Sequence, residues 1–119
     1  MAHSIDVAAL LDIVVSQLRA AGIRASVDPR DLNPPCAWVA ARTVAHDLLG
    51  GGGTVTADIY LIAPNIGVPQ ALKTLTGLLD QALTVIAPDA DTSLSERVPL
   101  PSGGDPLPAF RITVDLETC

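Results

Sequence analysis

The sequence predicts an α+β sandwich: one mixed or antiparallel sheet of about five strands with two helices packed on one face. Three observations predict it. Residues 54–63 alternate, with Val55, Ala57, Ile59, Leu61 and Ala63 on one side and Thr54, Thr56, Asp58 and Tyr60 on the other. That period of two belongs to a half-buried strand. After the break at Pro64-Asn65-Ile66-Gly67, the residues Val68, Leu72, Leu75, Leu79, Ala82, Leu83 and Ile86 recur at helical spacing and form a natural lid for that strand. Finally, the patterns follow the order α-β-β-β-α-β-β, with strands in blocks instead of alternating with helices.

Taken in order, residues 4–21 read as the first helix. Ser4 is suited to cap it, Asp6 is favoured near the positive end of the macrodipole, and Gly22 is placed to end it. Val7, Leu11, Val14, Val15 and Leu18 form one apolar stripe, with Gln17 and Arg19 off it. A helix with a single cation faces a core and not a membrane surface. Residues 23–28 alternate as a short strand. Pro29-Arg30-Asp31-Leu32-Asn33-Pro34-Pro35 follows as a rigid loop, because consecutive prolines fix φ and remove backbone donors. The strand that resumes at Cys36 and runs to about Val44 carries Trp38 as its aromatic anchor and Arg42 near a rim, where its head reaches water.

Leu48-Leu49-Gly50-Gly51-Gly52-Gly53 then reads as a hairpin tip with little resistance to bending. Gly77 falls on the polar side of the second helix, where glycine costs about 1 kcal/mol relative to alanine. Either drift or the close approach of a neighbouring subunit's backbone explains it. Residues 87–93 form a polar loop. Residues 96–100 and 108–116 are the last two strands, the latter with Phe110, Ile112, Val114 and Leu116 on one side. Pro101-Ser102-Gly103-Gly104-Asp105-Pro106 has the turn-forming residues of a hairpin connection.

A chain of 119 residues holds one core. With one Trp, one Tyr and one Phe, that core must be packed from Ala, Val, Leu and Ile. The formal charge of -6 and the lack of a Lys/Arg cluster exclude a DNA-coating role, which rests on clustered cations. Acidity suits a particle surface, or a channel wall that must not hold a passing polyanion. Met1-Ala2-His3-Ser4 lacks the basic start of a signal peptide, and no segment reaches the roughly 20 apolar residues of a membrane span, so the chain is expected in the cytoplasm where it is made. Cys36 and Cys119 are expected to be unpaired thiols there.

Chemistry is sparse. His46 beside Asp47 has no nucleophile turn to accompany it, and His3 lies at the start of the chain. The glycine run lacks the Lys and Ser/Thr of a phosphate cradle and precedes a strand, not a helix. Asp89, Asp91, Ser93 and Glu96 have a faint likeness to calcium ligands but lack the sixth-position glycine and the reach to a twelfth-position glutamate. Two distant histidines and two distant cysteines give no metal-ligand spacing. No catalytic, cofactor-binding or metal residue is therefore assigned, and the chain reads as a protein that acts by contact, not as an enzyme.

The most distinctive text is Asp28-Pro29-Arg30-Asp31-Leu32-Asn33-Pro34-Pro35-Cys36-Ala37-Trp38-Val39. Set after a helix ending in Ala-Gly-Ile and before a strand, a glycine-rich tip and a strand-turn-helix block, it resembles small tail proteins of long-tailed, siphovirus-type bacteriophages. It resembles especially the tail terminators of phages infecting actinobacteria. The resemblance implies a virion protein that forms a homo-oligomeric ring, usually a hexamer. Such a ring caps the major tail tube protein, ends tail polymerisation and offers a docking face to the head-to-tail connector or stopper protein. It implies assembly in the host cytoplasm, a lumen through which DNA passes without specific binding, and no membrane. A connector, stopper or tail-completion ring is the alternative within that class, and a small cytoplasmic α+β ligand-binding module the alternative outside it. The contact segments expected are Asp28, Arg30, Asp31, Leu32 and Asn33 in the loop and Gly50, Gly51, Gly52 and Gly53 at the tip, with Gly77 as a point of close approach. Trp38 belongs either to the core or to a subunit interface.

Overall fold

The computed structural model describes residues 6–46, 53–64, 67–101 and 103–117. Helix α1 spans Val7–Ala20. Its cap is Asp6 and not Ser4, which lies outside the described residues: the Asp6 carboxylate accepts from the Ala9 N–H at 3.0 Å. At the other end Gly22 takes φ 91°, and two bonds of 3.0 Å, Gly22 N–H to the Arg19 carbonyl and Ile23 N–H to the Leu18 carbonyl, close a Schellman cap. Because that cap engages the Ile23 N–H, strand β1 shrinks from the expected 23–28 to Ala25–Ser26. The Arg19 guanidinium ties it to the helix, donating to the Ala25 carbonyl from Nε at 3.1 Å and Nη2 at 2.9 Å.

The expected rigid loop contains a single 3-10 turn, Pro29–Asp31, and a cis Pro34–Pro35 bond. Beyond it run β2 (Cys36–His46) and β3 (Gly53–Ile62), then α2 (Val68–Ala82), β4 (Ser93–Val98) and β5 (Leu107–Glu117). The sheet order is β1-β2-β3-β5-β4, with β1 parallel to β2 and every other pair antiparallel. This is the α+β architecture that the sequence predicts, with a five-stranded mixed sheet and two helices. Strand β4 begins earlier than the expected 96–100, and its register with β5 shifts between Ser93 and Glu96. Pro99 has no N–H with which to prolong it.

Both helices cover one face. Leu11, Val14, Val15 and Leu18 of α1 and Ala71, Leu75, Leu78 and Ala82 of α2 pack on Ala37, Val39, Ala57, Ile59, Leu61, Phe110, Ile112 and Val114 of the sheet. Each large side chain fully buried there contributes about 1.5–3 kcal/mol. The stripe on α1 is the one read from the sequence, but the stripe on α2 is rotated from it. Val68 is 70% exposed, Leu72 47% and Leu83 45%, while Ala71 and Leu78 face the sheet in their place. The helix ends at Ala82, short of Ile86, which nonetheless turns back into the core.

The opposite face carries a second, smaller cluster at one end, where Cys36, Ile62, Val98 and Ala109 are buried and Leu32, Trp38, Tyr60, Leu100 and Leu107 pack around them. Helix α1 lies over β1 and β2, and α2 over β3 and β5. Strand β4 is the outer strand beyond α2.

Candidate functional site

The sheet has two unlike outer strands, and of the site residues expected from the sequence only the 28–33 loop lies at one of them. The Asp28–Asn33 loop lies next to β1. Asp28 caps the 3-10 turn by accepting from the Arg30 N–H at 2.9 Å, and its carboxylate also takes the Arg30 guanidinium in a fork, from Nε at 3.2 Å and Nη2 at 3.0 Å. Those bonds to Arg30 hold the Asp28 carboxyl below its usual range and push the guanidinium further up. Arg30 is thereby held in one geometry on the surface. Asp31 and Asn33 are exposed, but Leu32 turns inward against the smaller cluster. A cleft of about 590 Å³ opens beside them, bordered by Arg24, Ser26, Asp31, Asn33 and Cys36.

The glycines do not join that loop. Gly53 opens β3 opposite His46, and Gly50, Gly51 and Gly52 lie outside the described residues. Gly77 sits on the exposed side of α2 with nothing within 4 Å of where a Cβ would be, so no described residue outside its own stretch of helix approaches it. Trp38 is half-buried on the face away from the helices. Its ring stacks on Tyr60 at 5.2 Å, and its indole N–H donates to the Val27 carbonyl at 3.2 Å.

At the other outer strand lies a groove of about 390 Å³ between α2 and β4, which sequence reasoning missed. Val68, Ala71, Leu72, Leu75, Leu94 and Arg97 line it. Leu94 is 60% exposed. The signal available was the count of apolar positions on the second helix, broader than one sheet face needs.

A polar cluster in the middle of the open face was also unforeseen. Arg42, at the register shift in β2, reaches across to Asp58, which is only 5% exposed. Its Nη2 donates to Asp58 Oδ1 at 3.0 Å and to the Thr113 hydroxyl at 3.2 Å, and that hydroxyl donates to the same carboxylate oxygen at 3.1 Å. A buried carboxylate neutralised in this way is a structural pair, with its lone pairs directed at fixed partners. Beside it, the Thr56 hydroxyl donates to Asp115 at 2.8 Å. Near the smaller cluster, Arg111 pairs with Glu96 at 2.9 Å across β5 and β4.

Cys36 is a free, buried thiol, and burial pushes its pKa up to about 11, so the reactive thiolate is scarce at neutral pH. Cys119, His3 and Asp47 lie outside the described residues. Among the described residues, no group of three His, Cys, Asp or Glu side chains is placed to hold a metal ion, and no helix is long and apolar enough to cross a membrane. The arrangement leaves a cleft beside β1 at one sheet edge and a groove beside β4 at the other. Comparison of the chain with known protein families, with characterised proteins and with solved structures gives no match.

Proposed function

We propose that this chain is a ring-forming structural subunit of a long-tailed phage, a tail terminator that caps the tail tube, ends its polymerisation and joins the tail to the head connector. The observation that carries the reading is the pair of unlike edges. One end of the sheet bears α1, β1 and the Arg30-locked loop; the other bears an outer strand beside an apolar groove. Two different surfaces on opposite ends of one subunit favour head-to-tail contact, and such contact closes into a ring when its rotation permits. The resemblance of the 28–39 segment to tail terminators supplies the biological setting. The charge of -6 accords with a lumen through which DNA slides without adhering.

The test is deletion of the gene from its phage. A terminator is expected to leave overlong or irregular tails without heads; a connector or stopper would leave tails of normal length that fail to join. Normal virions would remove the reading altogether. The cleft beside β1 favours a second reading, a module for a small ligand, and saturable binding of a metabolite by a monomer that never assembles would install it in place of the ring.

A further inference from the structure

We infer that the groove between α2 and β4 is the socket for helix α1 of a second copy of this chain. The inference rests on the ring-forming reading above and names the two surfaces that would meet.

Among the described residues, none fills the groove. Val68 and Leu94 on its walls are 70% and 60% exposed, large for aliphatic side chains that already face each other across a concave surface. It also holds an unpaired cation on a chain of net charge -6. Arg97 lines it, and among the described residues it has no ion-pair partner. Its one carboxylate, Glu96, is already paired with Arg111.

Helix α1 supplies the complement. Its stripe of Leu11, Val14, Val15 and Leu18 is buried in its own core, yet Ile13 on the opposite side is 55% exposed. At 3.6 residues per turn, Ala9 lies beside Ile13 on that outer face, and Asp6 and Asp12 fall on either side of the two. A short apolar ridge flanked by carboxylates therefore meets an apolar groove that carries one unpaired arginine. Small residues beside Ile13 let the helix approach closely. Because α1 covers the β1 end of the sheet and the groove lies at the β4 end, a copy that fills its neighbour's groove keeps its own groove open for the next. Continuity of this kind is what a ring requires.

The experiment uses the full chain with Cys119→Ser and the buried Cys36 left in place. Ile13→Cys and Leu94→Cys are introduced singly, and the two proteins are mixed and oxidised. The expected product is a covalent pair in the mixture, well in excess of the pairs that either variant gives alone. In parallel, Asp12→Lys and Arg97→Asp are each expected to weaken self-association about tenfold, as a like-charge contact at an interface does, and to restore it when combined. Leu94→Asp is expected to weaken it by roughly 100-fold, with an unchanged circular dichroism spectrum because the side chain is exposed in the single copy. Assembly without the mixed pair, charge variants that do not compensate, or a protein that stays monomeric at every concentration would each overturn the inference. If the protein assembles through another surface, the phage reading survives; if the mixed pair forms but phage lacking the gene make normal virions, the contact survives and the phage reading falls.

Discussion

The two faces of the sheet are stabilised by different means, and strand β3 shows both. Toward the helices it presents Val55, Ala57, Ile59 and Leu61, all fully buried, held by volume and the exclusion of water. Away from them it presents Thr56, Asp58, Tyr60 and Ile62. Ile62 joins a small apolar cluster at one end, Tyr60 stacks on Trp38, and Asp58 is covered by Arg42. The helix face tolerates no loss of volume, whereas the open face depends on partners. A two-helix layer cannot roof five strands, so the uncovered part of the sheet must either stay polar and paired or await cover from outside.

Mutations sharpen the contrast. The largest effect is expected on the helix face, where Ile59→Ala should cost about 2–5 kcal/mol in denaturant unfolding; a loss below about 1 kcal/mol would mean that the core is loose. Next comes the thiol of the smaller cluster. Its folded pKa of about 11 lies above the ordinary 9.0, so its contribution is intact below pH 9 and falls as pH rises toward 11. The slope should approach roughly 1.4 kcal/mol per pH unit, and Cys36→Ala should lack it. A thiol reagent is expected to label Cys36 only on unfolding.

On the polar part of the open face, Arg42→Ala leaves a buried carboxylate without its cation. Arg42 is itself 47% exposed, so water can partly replace it, and a loss of about 1–2 kcal/mol is expected. Equal stability of Arg42→Ala and wild type would show that the face needs no pairing. A double-mutant cycle on Trp38 and Tyr60 should return a coupling of about 1 kcal/mol, and zero would assign the stack to area alone. Smallest is Gly77→Ala, expected to stabilise α2 by up to about 1 kcal/mol because nothing lies near the added methyl. If that variant folds better but no longer assembles, a neighbour's backbone does approach there.

Much of the fold was legible because it rests on local periodicity. Alternation in 54–63 and 108–116 placed the strands, and Gly22 gave the end of α1. Boundaries failed where one polar group had two claims on it: the Ile23 N–H went to the helix cap and not to β1, and the Asp28 carboxylate capped the 3-10 turn. Burial of Asp58 was not legible, since it depends on Arg42 reaching from a register shift and on Thr113 from a distant strand. The groove was hidden for a related reason. Val68 and Leu72 carry the helical period of a core stripe, and only the position of α2 over β3 and β5, not β4, shows that they project beyond the roof. Of the expected contact residues, Arg30 and Asp28 are bonded to each other, and Leu32 packs half-buried against the smaller cluster.

Images of the purified protein by electron microscopy, alone and mixed with tail tubes, test most directly whether unlike sheet edges make this chain a ring builder. Closed rings of uniform diameter, seated at tube ends in the mixture, are the expected result. Isolated single copies in both preparations, with the tubes left bare, would contradict it.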